Sequence, residues 1–381
     1  MSANFVLNIA EPSAGQYPFI NFFKAAPFAS GPTNYPSLFD INDYPTAPPV
    51  GSTLRYTPIQ LPTSYSGNWV IDWEGQVGTA GTAAIQLLGP TTVVSGSSFV
   101  VGGTTFNMSM TGTNGRVVFN FTPTSQKTFD ILTTASPSGF TNFRFYRADQ
   151  ESLLDSGEIF NPDFTDQLLE LKAQGRLVLR FLDWSNANSR ILHRYEDLTP
   201  DTAISWRAGY WRPANWVGDT SGTDTYTVAN GPGHNALAYE AGEMITCRFV
   251  NSNTSTTPTI NRGGLGPKTI VNQAGTALSA GNLNGARAIH YNALLDKFIY
   301  DTISPSPPFV VPLSVIVALC NKVGADLWLQ YSLVFSEDAW TQAVQYCRDN
   351  LDSGLRLYTE PSNEVWNSGF FSTAPYTVHD D

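Results

Sequence analysis

Cysteine is scarce and unpatterned in this 381-residue chain: there are three, Cys247, Cys320 and Cys347. None sits at a C-x-x-C or similar spacing, which excludes a disulfide framework and a zinc site and leaves buried free thiols as the expectation. Charge is sparse too, at 14% of residues, and 32 Asp and Glu outnumber 21 Lys and Arg. The resulting net charge of -11 lacks the basic footprint that neutralises phosphates, so no nucleic-acid partner is expected. The four histidines, His193, His234, His290 and His379, have no Ser, Cys or carboxylate partner at motif spacing, and each reads as structural. No metal and no cofactor is implied. Long apolar runs are also missing. The amino terminus, MSANFVLNIAEPSAGQYPF, shows neither the basic start nor the apolar middle of a signal peptide, so a chain made and kept in a cytosol, without membrane insertion, is expected.

What the chain does have is aromatic residues, at 13%, with 31 Gly and 25 Pro. That balance describes a folded, turn-rich protein, and the length suggests roughly two to three domains. The expected fold class is α+β multidomain. An amino-terminal segment, 1–40, is expected to pack on a β/α unit. Residues 41–148 alternate in short runs broken by turn residues and predict a β-sandwich or jelly roll, with Thr113-Asn114-Gly115-Arg116 as a type I′ hairpin turn. From Asn161 the pattern becomes helix, glycine, apolar strand. Asp163 or Thr165 can cap the first helix, and Leu177 to Phe181 reads as a buried strand. The same order recurs over Pro312 to Tyr331 and over Ser336 to Thr359, which predicts parallel βα units. The β/α part therefore spans 149–222 and 305–381, and 223–304 reads as a small β module inserted in one of its loops.

The strongest chemical signal is Tyr358-Thr359-Glu360-Pro361-Ser362-Asn363-Glu364-Val365-Trp366-Asn367, directly after a predicted strand. It resembles the Asn-Glu signature of clan A retaining β-glycosidases, which have a TIM-type (β/α) barrel. Further stretches, Pro18 to Lys24, Gly67 to Gly75 and Leu179 to Ser189, are similar to barrel proteins of this kind that carry an amino-terminal β-sandwich. The resemblance implies that Glu364 is the general acid/base and that Asn363 holds the substrate 2-hydroxyl. It also implies a partial barrel, since the nucleophile of such barrels lies at the seventh strand and no residue here matches it. Glu360, four residues before Glu364, is not assigned that role. Separately, Tyr226-Thr227-Val228, Gly242 to Met244, Asn261 to Lys268 and Ala277 to Gly281 resemble a small β module of phage tail fibres and tailspikes.

Retaining hydrolysis needs two carboxyl groups about 5 to 5.5 Å apart, so one acid alone implies binding without turnover. Asp183, Trp184, Trp211 and Trp366 are candidate carbohydrate-binding residues, because aromatic faces stack on sugar rings and carboxylates accept hydroxyl hydrogen bonds. A packing role fits Asp183 and Trp184 equally. Trp206, Tyr210, Trp211 and Trp216 with Arg207 and Arg212 form either a glycan platform or a loop core held by cation-π contacts. Three functions are weighed: a virion-associated fibre, spike or decoration protein that recognises host surface polysaccharide; an active retaining glycoside hydrolase with its nucleophile beyond this sequence; and a purely structural virion protein. The expected partners are a glycan, other virion proteins and further copies of the chain, because an incomplete barrel leaves sheet edges to cover.

Overall fold

The computed structural model describes residues 3–9, 18–25, 28–30, 54–56, 65–74, 83–87, 91–97, 99–102, 106–110, 114–122, 130–133, 141–181, 184, 216–230, 238–240, 243–272, 274–300, 311–331 and 337–361. They form a mixed α+β protein with several sheets. One sheet is wholly parallel, and its four strands follow chain order. These are β1 (Ala3–Asn8), β2 (Gly175–Arg180), β3 (Asp326–Tyr331) and β4 (Leu357–Pro361). Helices α1 (Pro162–Gln174), α2 (Leu313–Val323) and α3 (Glu337–Asn350) precede β2, β3 and β4 in turn.

Strand alternation sorts this sheet into two faces. Leu177, Leu179, Leu327 and Leu329 are buried in one cluster with Leu168 of α1, Ile316, Leu319 and Cys320 of α2, and Ala343 and Cys347 of α3. The intervening residues, among them Arg180, Trp328, Gln330, Tyr358 and Glu360, therefore occupy the face away from the helices. All three cysteines are free and buried, and burial pushes the Cys347 thiol up to about 12.

The local signals explain most boundaries. Gly324 ends α2 in the left-handed region at φ 64°, which a glycine adopts without a Cβ clash. The cap of α1 is neither Asp163 nor Thr165 but Asn161, whose side chain accepts from the Asp163 backbone N–H at 3.2 Å. Pro162 follows it at the first helical position, where its missing N–H costs nothing. Ala3–Asn8 does not merely pack on the sheet: it is the first strand, in register from Ala3 with Gly175 to Asn8 with Arg180.

Two long excursions leave this unit and return beside their point of departure. Phe19 bridges to Phe160, the Ile20 N–H donates to the Ile159 carbonyl at 2.9 Å, and the Asn161 N–H donates to the Pro18 carbonyl at 2.9 Å. Farther along, the Val311 N–H donates to the Trp184 carbonyl at 2.9 Å. Both excursions follow the carboxyl end of a parallel strand, β1 and β2 respectively.

The first excursion holds two antiparallel sheets. One orders Phe28–Ser30, Leu54–Tyr56, Asp130–Thr133, Ala83–Leu87, Phe106–Met110 and Phe99–Gly102; the other orders Thr141–Arg147, Gly67–Glu74, Gly115–Phe121 and Thr91–Ser97. Phe28–Ser30 takes this region back before residue 41. The second sheet is tied internally by Asp72, which accepts two bonds from Arg144 at 2.7 Å each and one from the Tyr146 hydroxyl at 2.8 Å. Burial and the Asp72 carboxylate push the Tyr146 hydroxyl well above its ordinary range.

The hairpin expected at Asn114-Gly115 is overturned. Phe106–Met110 pairs with Ala83–Leu87 and Phe99–Gly102, whereas Gly115–Phe121 pairs with Gly67–Glu74 and Thr91–Ser97 in the other sheet. Gly115 is the first residue of its strand and is absent from the positive-φ glycines among the described residues. Its role is space: a Cβ there would overlap the indole of Trp73, which is buried. Gly115→Ala is accordingly expected to destabilise the chain by about 1–3 kcal/mol, as overpacking does, read as a lowered urea midpoint. A midpoint equal to the parent's would refute the contact.

The second excursion is a seven-stranded, nearly closed sheet, ordered Trp216–Asp219, Met244–Phe249, Gly285–Asn292, Lys297–Tyr300, Lys268–Val271, Thr259–Arg262 and Thr225–Val228. A bridge from Ser221 to Thr227 joins its two ends. It opens at Trp216, ahead of the expected start at 223, because Trp216–Asp219 pairs in parallel with Met244–Phe249. Tyr226, Val228, Ile245, Cys247, Phe249, Ile260 and Ile289 fill its interior. Among the described residues, no helix is long and apolar enough to cross a membrane.

Candidate functional site

The carboxyl ends of parallel strands are where β/α folds assemble chemistry, because the loops there are free to vary over a rigid sheet. In this sheet four side chains meet at that end, on the face without helices. Glu360 of β4 accepts at its Oε2 from Gln330 Nε2 at 2.6 Å, from Trp328 Nε1 at 3.0 Å and from Arg180 Nη2 at 3.4 Å. The Arg180 guanidinium lies 5.1 Å from the centroid of the Trp328 ring, a cation-π distance. Register brings them together: Arg180 pairs with Trp328, and Gln330 with Glu360.

Exposure grades across this group. Gln330 is buried, while the Arg180 and Glu360 side chains are 23% and 34% exposed. Tyr358, two residues before Glu360 and so on the same face, is 39% exposed, with its ring 6.4 Å from that of Trp328. At the amino-terminal end of the same face, Arg176 pairs with Asp326 at 2.5 Å. Burial disfavours the Asp326 carboxylate, but Arg176 and the Arg356 backbone N–H outweigh it and hold its pKa below the ordinary value. The face thus has a charged pair at each end, with Val178 between Arg176 and Arg180 on β2.

Chemically, the group at the carboxyl end can bind and orient a hydroxylated ligand: it offers an anchored carboxylate, an indole and an exposed phenol. Glu360 is held by three donors. Among the described residues, no group of three or more His, Cys, Asp or Glu is placed to hold a metal ion.

Of the residues singled out in the sequence, Asp183, Trp211, Asn363, Glu364 and Trp366 lie outside the described residues, as do Trp206, Arg207, Tyr210 and Arg212. Trp184 is described, and it is fully buried, with its ring 5.4 Å from Phe19 and 5.3 Å from Phe181. It stands at the root of the second excursion, where its carbonyl accepts from the Val311 N–H. Arg180, Trp328 and Gln330 were not anticipated as a group. The available signal was period-2 alternation, since Arg180, Trp328, Gln330, Tyr358 and Glu360 all fall between the leucines that face the helices.

Comparison of the sequence with family models and with curated proteins finds no match.

Proposed function

We propose that this chain is a virion-associated fibre, spike or decoration protein that recognises host surface polysaccharide through a glycosidase-derived scaffold. On this reading the parallel sheet is the first part of a TIM-type barrel, the two antiparallel sheets form a β-sandwich or jelly roll, and the seven-stranded body is a tail-fibre-like module. One observation carries it. The Asn363-Glu364 pair follows directly in sequence after β4, fourth of four parallel strands in chain order, which is where the resemblance expects an acid/base. The polar, aromatic group at the carboxyl ends suits a glycan better than an apolar ligand. Binding partners are a glycan, other virion proteins and further copies of the chain.

The same placement of Glu364 favours a second reading, an active retaining hydrolase with Glu364 as acid/base. A glycan array on the full chain, with a reducing-sugar assay on each glycan that binds, separates the readings. Binding without release of reducing ends is expected, because a lone acid has no partner carboxylate to trap the glycosyl cation. Steady release that Glu364→Gln abolishes would establish the hydrolase. No binding to any glycan would favour a purely structural virion protein.

A further inference from the structure

The three donors that reach Glu360 all converge on one of its two carboxylate oxygens, Oε2. Oε1 makes no hydrogen bond among the described residues, and the side chain is 34% exposed. A carboxylate oxygen has about two acceptor sites, and anchoring its sibling oxygen fixes the direction of those sites before any ligand arrives. That ordering lowers the entropy cost of binding.

Beside this oxygen lies one exposed aromatic side chain. Tyr358, on the same strand and face, offers a ring edge and a phenol. Among the described residues, Arg180 pairs with the Glu360 charge. An oriented acceptor beside an exposed aromatic, with the carboxylate charge paired, matches a hydroxyl and the apolar face of a neutral sugar ring.

We propose that Glu360 Oε1 and Tyr358 form a subsite for one neutral pyranose unit of the recognised glycan. This rests on the glycan-binding reading above and assigns it a location. The sugar donates a hydroxyl hydrogen bond to Oε1, and its apolar face packs on Tyr358.

Isothermal titration of the full chain with a neutral oligosaccharide that scores on the array tests the assignment. Glu360→Gln is the informative variant. Its amide oxygen can replace Oε2 under the three donors, which turns the free position from an acceptor into an N–H donor. Affinity is expected to fall about tenfold or more, in line with loss of one hydrogen bond to a charged group. Tyr358→Ala, at an exposed position, is expected to weaken binding about fivefold or more through lost ring contact, with circular dichroism unchanged. If the oligosaccharide binds and both Glu360→Gln and Tyr358→Ala match the parent, the subsite is wrong while glycan recognition stands. If no glycan binds the parent chain, both are wrong.

Discussion

Glu243→Ala should lower the stability of the seven-stranded body by about 3–5 kcal/mol, the cost of stripping one partner from a buried ion pair. Glu243 and Arg262 face each other with side chains 2% and 1% exposed, and their oxygen and nitrogen are in direct contact. Arg262 continues the inward alternation of Ile260, so without Glu243 its guanidinium would be left charged in the interior with no room to reach water. The Arg262 Nε already has no hydrogen-bond partner there, which makes Glu243 its main compensation. The measurement is a urea titration followed by tryptophan fluorescence and far-ultraviolet circular dichroism. A companion double variant, Glu243→Leu with Arg262→Met, removes both charges and should recover most of the loss. A single variant that unfolds at the parent midpoint would mean that the pair is open to solvent.

Trp184→Ala is expected to cost a similar amount, about 3–5 kcal/mol, because it empties a site enclosed by Phe19, Phe181 and the core behind them. Trp184→Phe should cost much less. The result also decides between the two roles that the sequence left open for this residue. Loss of stability with glycan affinity retained by the folded fraction fits packing. Unchanged stability with lost affinity would instead return Trp184 to the sugar-binding surface.

The parallel unit was legible because its signals are local. The helix-glycine-strand order expected over Pro312 to Tyr331 is found as Leu313–Val323, Gly324 in the left-handed region, and Asp326–Tyr331. Gly115 shows the limit of such reading. Asn-Gly is a strong turn signal, yet here the glycine accommodates the Trp73 ring across a strand pair, and no local pattern announces a neighbour about 40 residues away. The cap of α1, expected at Asp163 or Thr165, lies two or four residues earlier at Asn161, because all three are competent caps and Pro162 at the first helical position settles the choice. The Glu360 group was harder still. Its donors come from β2 and β3, separated from Glu360 by 180 residues for Arg180 and by 30 for Gln330, so only the register of the parallel strands unites them.

The adjacency of Phe19 to Phe160, and of Trp184 to Val311, has a consequence for how such a chain can change over time. Because each β body departs and rejoins across a single hydrogen-bonded step, the βα scaffold sees it as a loop whose ends are already closed. Loop-closure entropy grows only with the logarithm of length, about 0.6 kcal/mol for each doubling, so a body of any size costs the scaffold nearly the same. Recombination could therefore replace either body by an unrelated one, or delete it, without disturbing the strand order. Either body can thus be exchanged while the order of the four parallel strands stays fixed.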